Sequence, residues 1–278
     1  MTNEELREAV IMYYYNKRIN AEKLAITYGW PIGKWDVSQV TNFSRIFEHL
    51  SNFNEDIGDW DVSNGTSFEC MFYNAESFNQ DIGSWNVSIG VNFSYMFLHA
   101  KHFDQDIGSW NVSNATSFRY MFCHARSFNQ DLSEWNTSKV TSMHSMFMNA
   151  SLFNGNISTW KTWNVTEIKR MFCNAAVFNQ DLSAWDTSNV IDMYCMFKNA
   201  SSFNGNVTNW RTENVRSMNF TFCGATSFNQ DVSAWNTSRV IHMRSMFKDA
   251  ISFRQNISSW DVSNVKRYDR IFCGAILF

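Results

Sequence analysis

The stretch IGDWDVSNGTSFECMFYNAESFNQD, residues 57–81, contains one complete structural unit. Its apolar residues are Ile57, Trp60, Val62, Phe68, Met71, Phe72, Ala75 and Phe78. Trp60 and Val62 alternate with Asp61 and Ser63, which predicts a short half-buried strand. Phe68, Met71, Phe72 and Ala75 fall at i, i+3, i+4 and i+7, the spacing of one helix face. Asn64-Gly65-Thr66 between them can turn the chain and cap that helix. The unit therefore reads as strand, turn, short helix and loop. One such unit has nothing to bury its apolar side against, so neighbouring units must stack.

The flanking sequence supplies the neighbours. Trp recurs every 25 residues at positions 35, 60, 85, 110, 135, 160, 185, 210, 235 and 260, without a single insertion. Phe follows each Trp at a distance of 12 (47 to 272) and again at 18 (53 to 278). A constant period of this length marks a solenoid. The predicted fold is an α/β repeat solenoid of ten coils (residues 29–278), numbered here one to ten by their Trp. Residues 1–28 form an N-terminal helical cap in two pieces, with a Thr2/Glu5 capping box and an apolar stripe of Leu6, Val10, Tyr13 and Tyr14. Equal spacing aligns Trp on Trp and Phe on Phe, roughly 4.8 Å apart where strands pair. The Trp row could instead be an exposed sugar-binding platform, but it is in phase with Val62 and its equivalents and so belongs to the core.

Composition agrees with a packed protein. Of the 278 residues 17% are aromatic and 18% charged, and the net charge of −3 gives no global support to nucleic-acid binding. No apolar run approaches the roughly 20 residues of a membrane helix. The acidic start Met1-Thr-Asn-Glu-Glu5 shows no export signal or lipid anchor, so a cytoplasmic location is expected, with a virion or surface association as the alternative. Cys123, Cys173, Cys223 and Cys273 lie two coils apart, too far to pair with one another, and read as buried reduced thiols.

The pattern Ile57-x-x-Trp60-x-Val62 followed by Phe68 and Met71-Phe72 resembles a leucine-rich repeat in which Trp takes the place of the second Leu. SFNQDIGSWNVS (77–88) and SWDVSNV (259–265) resemble the BspA-type leucine-rich repeats, first catalogued as a Mycoplasma domain of unknown function. The resemblance covers residues 29–278. It implies a right-handed coil and a role in surface adhesion or protein–protein contact, and it carries no catalytic residue. BspA-like proteins are often exported or lipid-anchored, which this sequence does not predict.

Several registers invite a functional reading. Asp56, Asp81, Asp106 and Asp131 could bracket calcium, but loop amides bonded to each carboxylate account for them more simply. Thr137, Thr162, Thr187, Thr212 and Thr237 form a row that could suggest ice binding, yet they sit at the inward position. His49, His99 and His124 share a register otherwise held by Asn, Asp or Gly, which predicts a loop-capping role. No nucleophile–base pair, metal ligand set or cofactor motif emerges, so the chain reads as no enzyme, with no cofactor and no metal.

The outward positions that break the repeat are the candidates for binding. Two coils depart from the usual Asp/Asn-x-Ser: Lys161-Thr-Trp163 and Arg211-Thr-Glu213, with Asp186 on the coil between. An outward Trp flanked by basic residues has the composition of a binding hot spot. The predicted partner is an unidentified protein, with no nucleic acid and no membrane. The predicted function is a non-catalytic interaction or adhesion scaffold. The alternative is a structural component that self-associates end to end through the C-terminal coil, where Phe278 occupies a core register. Charge is divided unevenly, 17 acidic and 10 basic residues in 1–150 (net −7) against 9 and 13 in 151–278 (net +4), which favours head-to-tail contact or an acidic partner for the second half.

Overall fold

The computed structural model describes residues 1–275, apart from the side chains of residues 16–18. The chain opens with one continuous helix, α1 (Asn3–Tyr28), rather than two pieces. Thr2 and Glu5 form the expected capping box: the Thr2 hydroxyl accepts from the Glu5 N–H at 3.2 Å, and the Glu5 carboxylate accepts from the Thr2 N–H at 2.7 Å. Leu6, Ala9, Val10, Tyr13 and Leu24 are buried beneath it. Tyr13 meets Trp35 edge-on at 5.7 Å, so α1 closes over the aromatic core of coil one. Asn3 Oδ1 accepts from the Thr41 and Asn42 N–H groups, which have no preceding coil to bond.

From Trp35 onward the chain winds as stacked coils joined by parallel bridges. Each bridge links residues 25 apart, from Asn42↔Ser67 through to His242↔Arg267. The three aromatic registers stack as predicted. Phe72 lies 5.3 Å from Phe47 and 5.4 Å from Phe97, with interplanar angles of 8° and 3°. The two Phe registers also pair within a coil, as Phe72 and Phe78 do at 3.9 Å. Trp85 and Trp110 lie 6.4 Å apart and nearly parallel. The repeat tryptophans are no more than 8% exposed. From Trp60 onward each indole N–H also bonds the preceding coil: Trp60 donates to the Ile32 carbonyl (2.9 Å) and Trp160 to that of Leu132 (2.9 Å). The row is both dry spine and rivet.

The interior of each coil corrects the expected strand and helix. Apart from α1, the only helix among the described residues is the 3-10 turn Ile32–Lys34. At Trp60–Val62, where a strand is predicted, the backbone closes turns instead: the Trp60 N–H donates to the Ile57 carbonyl and the Gly65 N–H to that of Val62. The inter-coil ladder runs through the predicted helix. The N–H groups of Phe68, Cys70, Phe72 and Asn74 donate to the carbonyls of Asn92, Ser94, Met96 and Leu98 on the next coil. Cys70 and Asn74 take the left-handed conformation (φ 56° and 60°), and so do their equivalents on the other coils, such as Arg45 and His49. With these two left-handed residues in each coil, every second peptide from Phe68 to Asn74 turns its N–H toward the higher-numbered coil. It also brings Phe68, Met71, Phe72 and Ala75 to the inner side with the spacing of a helix face.

The polar registers resolve as hydrogen-bonding devices. Asp56, Asp81 and Asp106 each accept from the N–H two residues on, at 2.9 Å, and Asp131 from Ser133 at 2.8 Å. These are Asx turns. The Thr row is inward, at most 3% exposed, with each hydroxyl donating to a carbonyl of the next coil: Thr162 to Asp186 and Thr187 to Arg211, both 2.9 Å. His49, His99 and His124 stand in the left-handed register with φ of 61–63°, where Asn and Gly stand elsewhere. That is the loop role expected of them. Cys123, Cys173 and Cys223 are buried free thiols, whereas Cys273 is exposed, because coil ten has no described coil over it. Phe278 lies outside the described residues.

Candidate protein-binding surface

The outer edge of eight of the ten coils carries a second row of Asx turns. The residue after the ladder Trp accepts from the N–H two positions on: Asp61 from Ser63 (3.0 Å), Asn111 from Ser113 (3.1 Å), Asp186 from Ser188 (2.9 Å). The Asp36, Asp61, Asp186 and Asp261 carboxyls are held below the usual carboxylate range chiefly by the side-chain and backbone hydrogen bonds from that serine. Lysine and arginine have no acceptor, so coils six and eight cannot build this turn. There both of its residues change together, to Lys161/Trp163 and Arg211/Glu213.

The replacements pair among themselves. Lys161 Nζ lies 5.9 Å from the centre of the Trp163 ring, a cation–π arrangement, and Trp163 is 44% exposed. The Lys161 backbone is anchored by Thr137, whose hydroxyl donates to the Lys161 carbonyl (3.0 Å) and accepts from its N–H (2.9 Å). On coil eight Arg211 Nη2 donates to Glu213 Oε1 at 2.6 Å. Between them Asp186 keeps its Asx turn, and Arg211 adds a small further downward pull on its carboxyl. Asn189 donates to the Trp163 carbonyl at 2.6 Å, which fixes the loop that carries the indole. A depression of about 300 Å³ beside Arg211 and Glu213 is floored by Trp210 and rimmed by Thr208, Ala234 and Asn236. All five predicted residues thus lie on three adjacent coils, as two local pairs with Asp186 between them.

A further surface escaped the sequence reading. On the ladder side of the coils, cations cover aromatic rings: Arg119 over Tyr120 (5.5 Å), Arg170 over Tyr194 (5.2 Å), and both Lys198 and Arg244 over Phe220 (5.7 and 5.8 Å). Tyr120 also stacks on Tyr95 at 5.0 Å and hydrogen-bonds His144 Nε2 at 3.0 Å. The signal was present in the left-handed register, which holds Tyr95, Tyr120 and Phe220, but that register was read as part of a helix. The buried thiols Cys123 and Cys173 are unreactive. Burial pushes Cys123 up to about 12 and Cys173 up to about 11, so both stay protonated and are poor nucleophiles. Among the described residues no three His, Cys, Asp or Glu side chains gather to hold a metal. No helix among them is long and apolar enough to cross a membrane.

A 25-residue stacked coil with a buried Trp/Phe spine defines a class of repeat protein. The chain belongs to the family described as Mycoplasma protein of unknown function, DUF285, whose model matches residues 21–135, 117–219 and 205–278. No curated protein matches the chain. Among solved structures, a chain from the crystal structure of a TLR13–ssRNA13 complex is matched at 11% identity and a TM-score of 0.24, over 79% of this chain and 38% of that one. The chain thus spans well under half the length of that protein.

Proposed function

We propose that this protein is a non-catalytic, leucine-rich-repeat-like scaffold of the BspA type that binds a protein partner through the outer edge of coils six to eight. One observation carries the reading: coils six and eight give up a turn that most other coils keep, and set an exposed Trp163 beside Lys161 in its place. The fold gains nothing from that exchange. Surface pairs such as Arg211–Glu213 contribute about 0–1 kcal/mol, whereas a desolvated Trp or Arg is a typical binding anchor. The charges of Lys161, Asp186, Arg211 and Glu213 suit a partner with both signs at its contact and an apolar pocket for the indole.

The test compares the wild-type chain with Trp163→Ala/Arg211→Ala as bait for capture from the native source. The variant is expected to lose the partner while its unfolding midpoint stays within about 0.5 kcal/mol of the wild type. Capture of the same partner by the variant would remove the patch from consideration.

A second reading, end-to-end assembly, rests on coil ten. Val262 there is 57% exposed, against 1% for Val37, Val62, Val87 and Val112. It lines an apolar depression of about 280 Å³ with Met243, Val265, Tyr268 and Ile271. A further coil would cover this face, whether from another copy or from more of the same chain. Sedimentation over a hundredfold range of concentration separates the two readings: growth in mass supports assembly, and a constant monomer mass refutes it.

A further inference from the structure

On coils eight to ten a cavity of about 300 Å³ is lined by Arg216, Arg239 and Lys266, with Ser238, Ile241 and Asn264 completing the wall. No carboxylate lines it. Among the described residues none of the three cations makes an ion pair; Arg239 donates to the Asn214 side-chain oxygen at 2.8 Å, and nothing neutralises Arg216 or Lys266. The acids in neighbouring registers are engaged by other cations, Glu213 by Arg211 (2.6 Å), Asp192 by Lys169 (3.0 Å) and Asp269 by Arg244 (3.0 Å).

These cations replace residues that have a structural task. Register 41 runs Thr41, Thr66, Val91, Thr116, Thr141 and Thr166 through coils one to six, then Ile191, Arg216, Ile241 and Lys266. The Thr66, Thr116 and Thr141 hydroxyls donate to the carbonyl one coil back, a bond that Arg216 and Lys266 do not reproduce. Register 39 is mainly Asn, and Asn64, Asn114, Asn164 and Asn214 each donate to the preceding coil. Arg239 gives up that bond. Four structural bonds are thus forgone within three consecutive coils, three of them to cations and one to Ile241, and the result is an acid-free basic hollow. Positions where a protein breaks its own local rule in concert are where function is expected. Register 39 also provides an internal control: Lys139 stands in it alone and bonds Asn114, with Thr116 and Thr166, not cations, in the places that Arg216 and Lys266 take.

We propose that this hollow binds a compact polyphosphate anion. Arg216 and Lys266 sit two rungs apart, roughly 10 Å at about 4.8 Å per rung, with Arg239 on the coil between. A ligand that satisfies three cations at that spacing must carry several negative groups within a small volume. Planar guanidinium groups match phosphate oxygens in pairs. The site adjoins the Trp163 edge at coil eight, where Glu213 shares a register with Ser238, but it shares no residue with that edge and is tested separately.

The experiment is calorimetric titration of the full chain with inorganic tripolyphosphate, with orthophosphate, a nucleoside triphosphate and a polyglutamate peptide as parallel arms. Arg216→Thr, Arg239→Asn and Lys266→Thr restore the residues that other coils carry, so each variant should fold. Tripolyphosphate is expected to bind with a stoichiometry of one, each substitution weakening it by about tenfold, with Lys139→Asn unchanged and orthophosphate far weaker. A nucleoside triphosphate binding as tightly identifies the polyphosphate chain as the recognised group. Absent binding, equal loss in Lys139→Asn, or affinity for polyglutamate alone would each overturn the proposal.

Discussion

The two halves of the solenoid build the same coil from different side chains. In coils one to four the inward residue after the Trp is Val (37, 62, 87, 112); in coils five to nine it is Thr (137 to 237). Both are buried, yet each Thr adds a hydrogen bond to the next coil that Val cannot make. Three residues further on, coils two and three place Gly65 and Gly90 against Phe68 and Phe93, where coils five and seven carry Val140 with Met143 and Val190 with Met193. A Cβ at Gly65 would lie 2.6 Å from the Phe68 ring, so the small residue and the large one are a matched pair. The left-handed register differs as well. His49, His99 and His124 dominate the first half, while Asn149, Asn174 and Asn199 chain their amides along the second at 2.7 and 2.8 Å. The lesson is that a repeat fixes which positions face inward and the space that neighbouring side chains share, and leaves free how volume and hydrogen bonds are divided among them.

That reading can be broken, most severely by mixing the two packing solutions. Gly65→Val alone should cost about 1–3 kcal/mol through overpacking, and Phe68→Met in the same chain should recover most of it. Additive losses in a denaturant double-mutant cycle would disprove the matched pair. Exchanging the inward row is milder. Thr187→Val should cost about 1 kcal/mol by leaving the Arg211 carbonyl without its bond. Val87→Thr should cost less than that, since the hydroxyl can take the equivalent bond to the Asn111 carbonyl of coil four; a loss above about 2 kcal/mol would mean that the two halves differ in backbone as well.

The smallest effect is one of pH. His124 stacks on His99 at 4.2 Å and accepts from the Asn149 amide at Nε2 (3.0 Å), which requires the neutral ring. Burial first, then His99, Arg126 and Lys101, lowers His124 from its ordinary 6.5 to about 4; burial also lowers His99, with Lys101 adding to it and Glu76 opposing. The folded value lies below the unfolded one, so stability is complete above about pH 6.5 and declines as the pH falls toward 4. Replacing both histidines by Asn, the residue of the second half, should flatten that part of a melting-temperature profile. An unchanged slope would assign the acid sensitivity elsewhere.

The stacking of coils was legible because thirty aromatic positions share one period, and packing alone dictates that such rows bury together. The inner path of the coil was not legible. Left-handed residues four apart return Phe68, Phe72 and Ala75 to one side just as a helix does, so apolar spacing cannot tell the two apart. The distinguishing signal was the Asn, His and Gly at Asn74 and its equivalents, residue types that tolerate positive φ. Trp163 could be placed outward by simple alternation from the buried Thr162. The hollow of Arg216, Arg239 and Lys266 spans three coils and two registers, and nothing along the linear sequence brings those residues side by side.

The one-way orientation of the ladder peptides gives the solenoid an electrical axis. Four columns of N–H groups point up the stack through Phe68, Cys70, Phe72 and Asn74, while the columns through Thr66 and Ser77 point down. The upward set dominates, and aligned peptide dipoles of about 3.5 D sum as they do along a helix. The positive pole faces coil ten, the same sense as the side-chain division of −7 in residues 1–150 and +4 in 151–278. The molecule is therefore a dipole along its stacking axis, and transient electric birefringence reads the size of that permanent moment.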